Sequence, residues 1–167
     1  MLDINNRRTV LLAAFLAISL PVFPQTDPIA DALSKAEASW SRLKPAAYEF
    51  TIDVRCFCDL AKTPPRFRVK RGAVTALTEL TTNQRSTYGY FDTVEKIFQL
   101  LRRHLTRKPE KMIVYYDRDL AYPMSAEIDV RKEVKDDELE FYVTSLIALA
   151  DDDEPALVPR PKDQARR

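Results

Sequence analysis

The sequence predicts an α+β fold: a mostly antiparallel sheet of about five to six strands packed on two helices, in the order helix, three strands, helix, three strands. Three observations lead there. Two segments, Ile29 to Leu43 and Val94 to Leu105, carry apolar residues at helical spacing. Each is followed by short stretches alternating apolar and polar residues, the mark of strands with one buried face. Runs of strands sorted from helices also argue against a wound parallel sheet, in which the two alternate one by one.

Asp27-Pro28 opens the first helix, because Asp caps free backbone N–H groups and Pro fits the first turn. Ile29, Ala32, Leu33, Ala36, Trp40 and Leu43 form its apolar face, and Pro45 closes it. Trp40 reads as a core anchor rather than a ligand platform. The first strand then sets Tyr48, Phe50, Ile52, Val54, Cys56 and Cys58 on one face, with Glu49, Thr51, Asp53 and Arg55 on the other.

Pro64-Pro65 ends the loop that follows. The second strand carries Phe67 and Val69 inward, and Arg71-Gly72 makes a tight turn in which Gly72 takes a positive φ. The third, over residues 73–80, alternates less cleanly at Val74, Leu77 and Leu80, which implies a bulge or half turn. Thr81 to Phe91 reads as a polar loop. Asp92-Thr93-Val94-Glu95 resembles a capping box that starts the second helix at Asp92. Val94, Ile97, Phe98, Leu101 and Leu105 are its buried stripe; Arg102, Arg103, Arg107 and Lys108 complement its C-terminal dipole, and Pro109 stops it. Three strands follow at 111–117, 123–130 and 139–147, with Asp136-Asp137-Glu138 as the turn before the last.

Residues 1–24 read as a cleavable signal peptide. Arg7 and Arg8 form a positive start, and Val10 to Leu20 is an apolar run of eleven residues, too short to span a bilayer, which takes roughly 20. The alternative, an uncleaved anchor, lacks a following stop-transfer run. The expected organisation is a signal peptide at 1–24, one α+β domain at 27–148 and a disordered tail at 149–167, acidic, then proline-rich, then basic. The protein is thus expected to be exported, periplasmic or extracellular, with no membrane span after signal cleavage. Removing residues 1–24 leaves 24 basic and 24 acidic residues. A neutral domain has no general electrostatic reason to bind nucleic acid. Only Gly72 and Gly89 are glycines, which excludes glycine-rich phosphate loops.

Cys56 and Cys58 are the only cysteines. On a flat strand their Cβ atoms would stand roughly 6.5–7 Å apart, whereas a disulfide needs about 3.5–4.5 Å. A Cys56–Cys58 bond therefore requires the backbone to leave the strand at Phe57. Three readings stand: a small disulfide loop that ends the strand, which export favours; two reduced thiols under the sheet; or a redox or soft-metal pair. The redox case lacks the usual two-residue spacer and helix N-terminus. The metal case lacks ligands, because the one histidine, His104, is far away in sequence.

No hydrolytic constellation stands out, so no catalytic residue, cofactor or metal site is assigned. Asp117 with Asp119, and Asp136 with Asp137, read as turn-capping residues. Arg55, Arg66, Arg68, Lys70 and Arg71 form a basic outer patch that Glu49, Asp53 and Glu79 can neutralise across strands. The expected function is a non-enzymatic, protein-binding or inhibitor-like module for an unknown envelope or extracellular protein. Its candidate surface is Tyr88, Tyr90, Phe91 and Tyr122. The alternative is a thiol redox or soft-metal-handling protein using Cys56 and Cys58.

Several segments together carry a resemblance: Trp40, Tyr48 through Cys58, the Val69-Lys70-Arg71-Gly72-Ala73-Val74 hairpin, Thr93 through Phe98, Tyr116 through Pro123, and Ile128-Asp129. The chain resembles, over roughly residues 36–145, a family of small exported bacterial proteins known only as a domain of unknown function, number six-one-seven-four. The resemblance implies the fold and export and brings no activity or site residue with it. Where the family pattern has Asp-Gly at the hairpin, this chain has Arg71-Gly72. Where it has Gly-Tyr-Pro, this chain has Ala121-Tyr122-Pro123.

Overall fold

The computed structural model of the protein describes residues 27–131 and 138–150. The stretch 1–24 expected as a signal peptide, Asp136-Asp137 of the expected turn, and residues 151–167 of the expected tail lie outside the described residues. The elements are α1 (Pro28–Leu43), β1 (Ala47–Cys56), β2 (Arg66–Lys70), β3 (Ala73–Leu77), α2 (Thr82–Tyr88), α3 (Val94–Thr106), β4 (Lys111–Tyr116), β5 (Pro123–Asp129) and β6 (Leu139–Ala148). The fold is α+β, with one six-stranded sheet ordered β3-β2-β1-β6-β5-β4, antiparallel at every pairing. The two meanders are not equivalent: the first strand of one meets the last strand of the other, which is not how a simple duplicated unit would join.

The local chemistry acts largely as the residues dictate. Asp27 caps α1 by accepting from the Ile29 N–H at 2.9 Å, with Pro28 in the first turn. Arg71 (φ 50°) and Gly72 (φ 79°) form the two-residue β2–β3 turn. Positive φ at both central residues is the turn whose twist matches the flanking strands. β3 stops at Leu77, and its uneven pattern is a bulge: Arg68 pairs Ala76 while Val69 pairs Val74, leaving Thr75 extra. A second bulge sets Thr51 against Ser145 and Ile52 against Val143, with Thr144 extra on β6.

Two local expectations are corrected. The 81–91 segment is not all loop: Thr81 and Gln84 make a reciprocal capping box that starts α2. And α3 is capped by Thr93, which accepts from the Lys96 N–H at 3.2 Å, while Asp92 pairs with the Lys96 ammonium at 2.7 Å.

One face of the sheet is buried. Trp40 and Leu33 from α1, Ile97, Phe98 and Leu101 from α3, and Phe50, Ile52, Phe67, Ile128 and Phe141 from the strands are closed to solvent. The core is aromatic at its centre: Trp40 meets Tyr48 edge-on at 5.4 Å, and Phe50 stacks on Phe67 at 5.5 Å. The opposite face is the charged one. Glu49 pairs with Arg66 and Arg68, and Arg55 with Asp53 and Glu140. Tyr115, Tyr142 and Ile147 are exposed there, with Arg55 over the Tyr142 ring at 5.0 Å.

Candidate functional site

Cys56 is the last residue of β1, and the chain leaves the sheet immediately after it. The two cysteine Cα atoms are 5.3 Å apart, and the sulfurs lie at disulfide distance. Cys58 therefore does not continue the inward face of the strand. It is exposed, Cys56 is half-buried, and Phe57 at the tip of the loop is 83% exposed.

The surface read from the aromatic residues is mostly interior. Tyr88, Phe91 and Tyr122 are buried; of the four, only Tyr90 is exposed, at 51%. The reason is α2. Once 82–88 is helical, Tyr88 turns inward, where burial raises its phenol pKa and a hydrogen bond with the Ala61 backbone partly offsets that rise. Phe91 meets Phe141 edge-on at 5.8 Å, and Tyr122 meets Trp40 at 6.2 Å. The β4–β5 connection holds Tyr122 there: Asp117 accepts from the Asp119 and Leu120 N–H groups, and Ala121 adopts φ 63°.

Beside the cysteine loop runs a cleft of about 440 Å³. Cys56 and Cys58 form one wall; Arg103, His104 and Arg107, from the last turn and cap of α3, form another. Ser86 and Thr87 of α2 and Tyr90 add hydroxyls, and Phe91, Leu100 and Leu139 make the apolar floor. Arg103 lies over the Tyr90 ring at 4.7 Å. Among the described residues that line the cleft, none is acidic. Among the described residues no carboxylate pairs with Arg103 or Arg107. The His104 Nδ1 is buried and has no hydrogen-bond partner. Burial, then Arg107, then Arg103 hold the His104 pKa below the ordinary imidazole value.

The sequence distance between His104 and the cysteines thus disappears in the fold. Arg103 and Arg107, expected only as dipole partners, share a helix face with Leu100 and His104. That 100/103/104/107 spacing was the available signal.

A second polar cluster ties α1, β1 and α3 together. The Glu95 carboxylate accepts from Trp40 Nε1 at 3.2 Å, Tyr48 Oη at 3.1 Å and Lys44 Nζ at 2.7 Å, while the Tyr48 oxygen accepts from the Val94 N–H at 3.2 Å. Burial drives the Tyr48 phenol far above its ordinary pKa. Burial opposes the ionised Glu95 too, but the Lys44 hydrogen bond and charge, with the Glu95 backbone N–H and Trp40, outweigh it and lower its pKa. The donors fix a carboxylate in place and leave it no free lone-pair geometry for substrate; this cluster holds the fold.

The family model described as "Family of unknown function (DUF6174)" matches residues 32–148. The chain belongs to the DUF6174 family. No curated protein and no solved structure matches it. The matched stretch of this DUF6174 domain contains every residue lining the cleft and the Glu95 cluster. Among the described residues of the DUF6174 domain, no helix is long and apolar enough to cross a membrane, and no group of three or more His, Cys, Asp or Glu side chains is placed to hold a metal ion.

Proposed function

We propose that the protein is an exported, non-enzymatic binding module that takes an anionic group of an envelope or extracellular partner into the cleft between the Cys56-Phe57-Cys58 loop and the end of α3. The observation that carries this is that Arg103, His104 and Arg107 line a cleft with no acidic side chain among its described residues. On the open sheet face Glu49 neutralises Arg66 and Arg68; here two guanidinium groups line a cleft in which no described residue is a carboxylate. Arginine suits carboxylate or phosphate recognition because its fork of donors matches two oxygens at once. Tyr90, the one exposed member of the aromatic surface, supports Arg103 rather than forming a free interface. The signal-like segment at 1–24 supports export.

The test is an NMR titration with citrate, an anion that carries no thiol. Saturable shifts at Tyr90, Arg103, His104 and Arg107, absent from the Arg103→Ala/Arg107→Ala variant, are expected. Shifts that do not saturate, or that spread over the Arg55, Arg66 and Arg68 face, would remove the proposal.

A further inference from the structure

Resting on that cleft as an anion site, we infer that its ligand class is an anionic low-molecular-weight thiol or cysteine peptide, and that Cys58 takes such a ligand as a mixed disulfide. The juxtaposition is specific. The cysteine pair forms a wall of the same cleft that holds His104 and two arginines with no carboxylate partner among the described residues. The two residues differ in exposure: Cys58 is exposed, while Cys56 is half-buried at the end of β1. An incoming nucleophile therefore reaches Cys58, and Cys56 is the leaving group.

The step balances without an outside oxidant. The ligand thiolate attacks Sγ of Cys58. The Cys56–Cys58 bond breaks, and its electron pair leaves on Sγ of Cys56. A new S–S bond joins the ligand to Cys58, and the proton given up by the ligand thiol ends on the Cys56 thiolate. One disulfide replaces another. The cleft favours this twice: its cations raise the local concentration of an anionic thiolate, and nearby positive charge stabilises a departing thiolate, which speeds exchange. The bond spans only two positions of sequence, so opening it frees no long segment and the domain remains folded to hold the adduct.

The experiment uses purified oxidised protein and intact-mass spectrometry of the adduct with glutathione (anionic), 2-mercaptoethanol (neutral) and cysteamine (cationic). Each rate is divided by the rate with the urea-unfolded protein, which removes intrinsic thiol reactivity. Glutathione is expected to lead cysteamine by about tenfold at low salt, with the adduct mapped to Cys58 and the preference lost in Arg103→Ala/Arg107→Ala. Equal normalised rates for the three thiols, or an adduct on Cys56, would overturn the inference. S-methylglutathione, which cannot exchange, separates the two proposals. If it binds while glutathione forms no adduct, the exchange is wrong and the anion site stands; if neither engages, both are wrong.

Discussion

Replacing Glu95 with alanine tests the cluster that joins α1, β1 and α3. Trp40 and Tyr48 are each 1% exposed, and their Nε1–H and O–H donate to this carboxylate. Removing it leaves two buried donors without acceptors, at about 1–3 kcal/mol each. Lys44 contributes less, because its side chain is 38% exposed and a solvent-facing pair is worth about 0–1 kcal/mol. The Glu95 side chain is itself 31% exposed, so water enters the gap and meets part of the loss. The expected destabilisation of Glu95→Ala is about 2–4 kcal/mol, or a Tm lower by roughly 6–20 °C for a domain of this size.

The assay is urea unfolding followed by circular dichroism and by fluorescence of Trp40, the single tryptophan. Glu95→Gln keeps one acceptor oxygen and loses about half as much. A double-mutant cycle with Tyr48→Phe isolates the shared bond and should show coupling of at least about 0.5 kcal/mol. A folded carboxylate pKa below the unfolded one means the native state binds fewer protons, so stability rises with pH across that window. The Glu95 contribution is full above the unfolded carboxylate value of about 4.3 and is lost as pH falls through the lowered native one. If Glu95→Ala lies within about 0.5 kcal/mol of wild type, or adds independently to Tyr48→Phe, the network reasoning is refuted.

Ala121 sits at φ 63°, where a Cβ costs about 1–2 kcal/mol; Ala121→Gly should raise stability by about 0.5–1 kcal/mol in the same unfolding assay, after the extra entropy of glycine in the unfolded chain is subtracted. Reduction of the Cys56–Cys58 pair should cost only about 1–2 kcal/mol, because the closed loop is minimal; circular dichroism in excess reductant should show an unchanged fold. Citrate should raise the His104 pKa, since an anion favours the protonated ring that burial, Arg107 and Arg103 now disfavour; imidazole titration by NMR checks the direction, and no shift would place the anion elsewhere.

The strands of this fold were legible because each has one wet face. β1 alternates cleanly from Tyr48 to Val54 since Glu49, Thr51 and Asp53 point to solvent, and the same holds for β5 and much of β6. The short α2 was hidden, because its seven residues, Thr82–Tyr88, hold one buried side chain and give no apolar period to read. Its Thr81-x-x-Gln84 capping box is the signal the sequence carries, and the helix it starts turns Tyr88 inward. The cleft was beyond sequence reading for a different reason. The last turn of α3 meets the end of β1 only through tertiary packing, and 45 positions separate Arg103 from Cys58. The cysteine loop itself was readable from the mismatch between strand spacing and sulfur bonding.

The join between β1 and β6 has a kinetic meaning. The second-to-appear element of the domain has its longest partner in the last, with Tyr48 against Ala148 and Cys56 against Leu139. Until residue 148 is available, β1 lacks one neighbour and the β4–β5 hairpin has no bridge to the rest of the sheet. Contacts this distant in sequence are slow to form because a long loop must close first. Closure of the sheet at its centre therefore waits on the last strand of the domain.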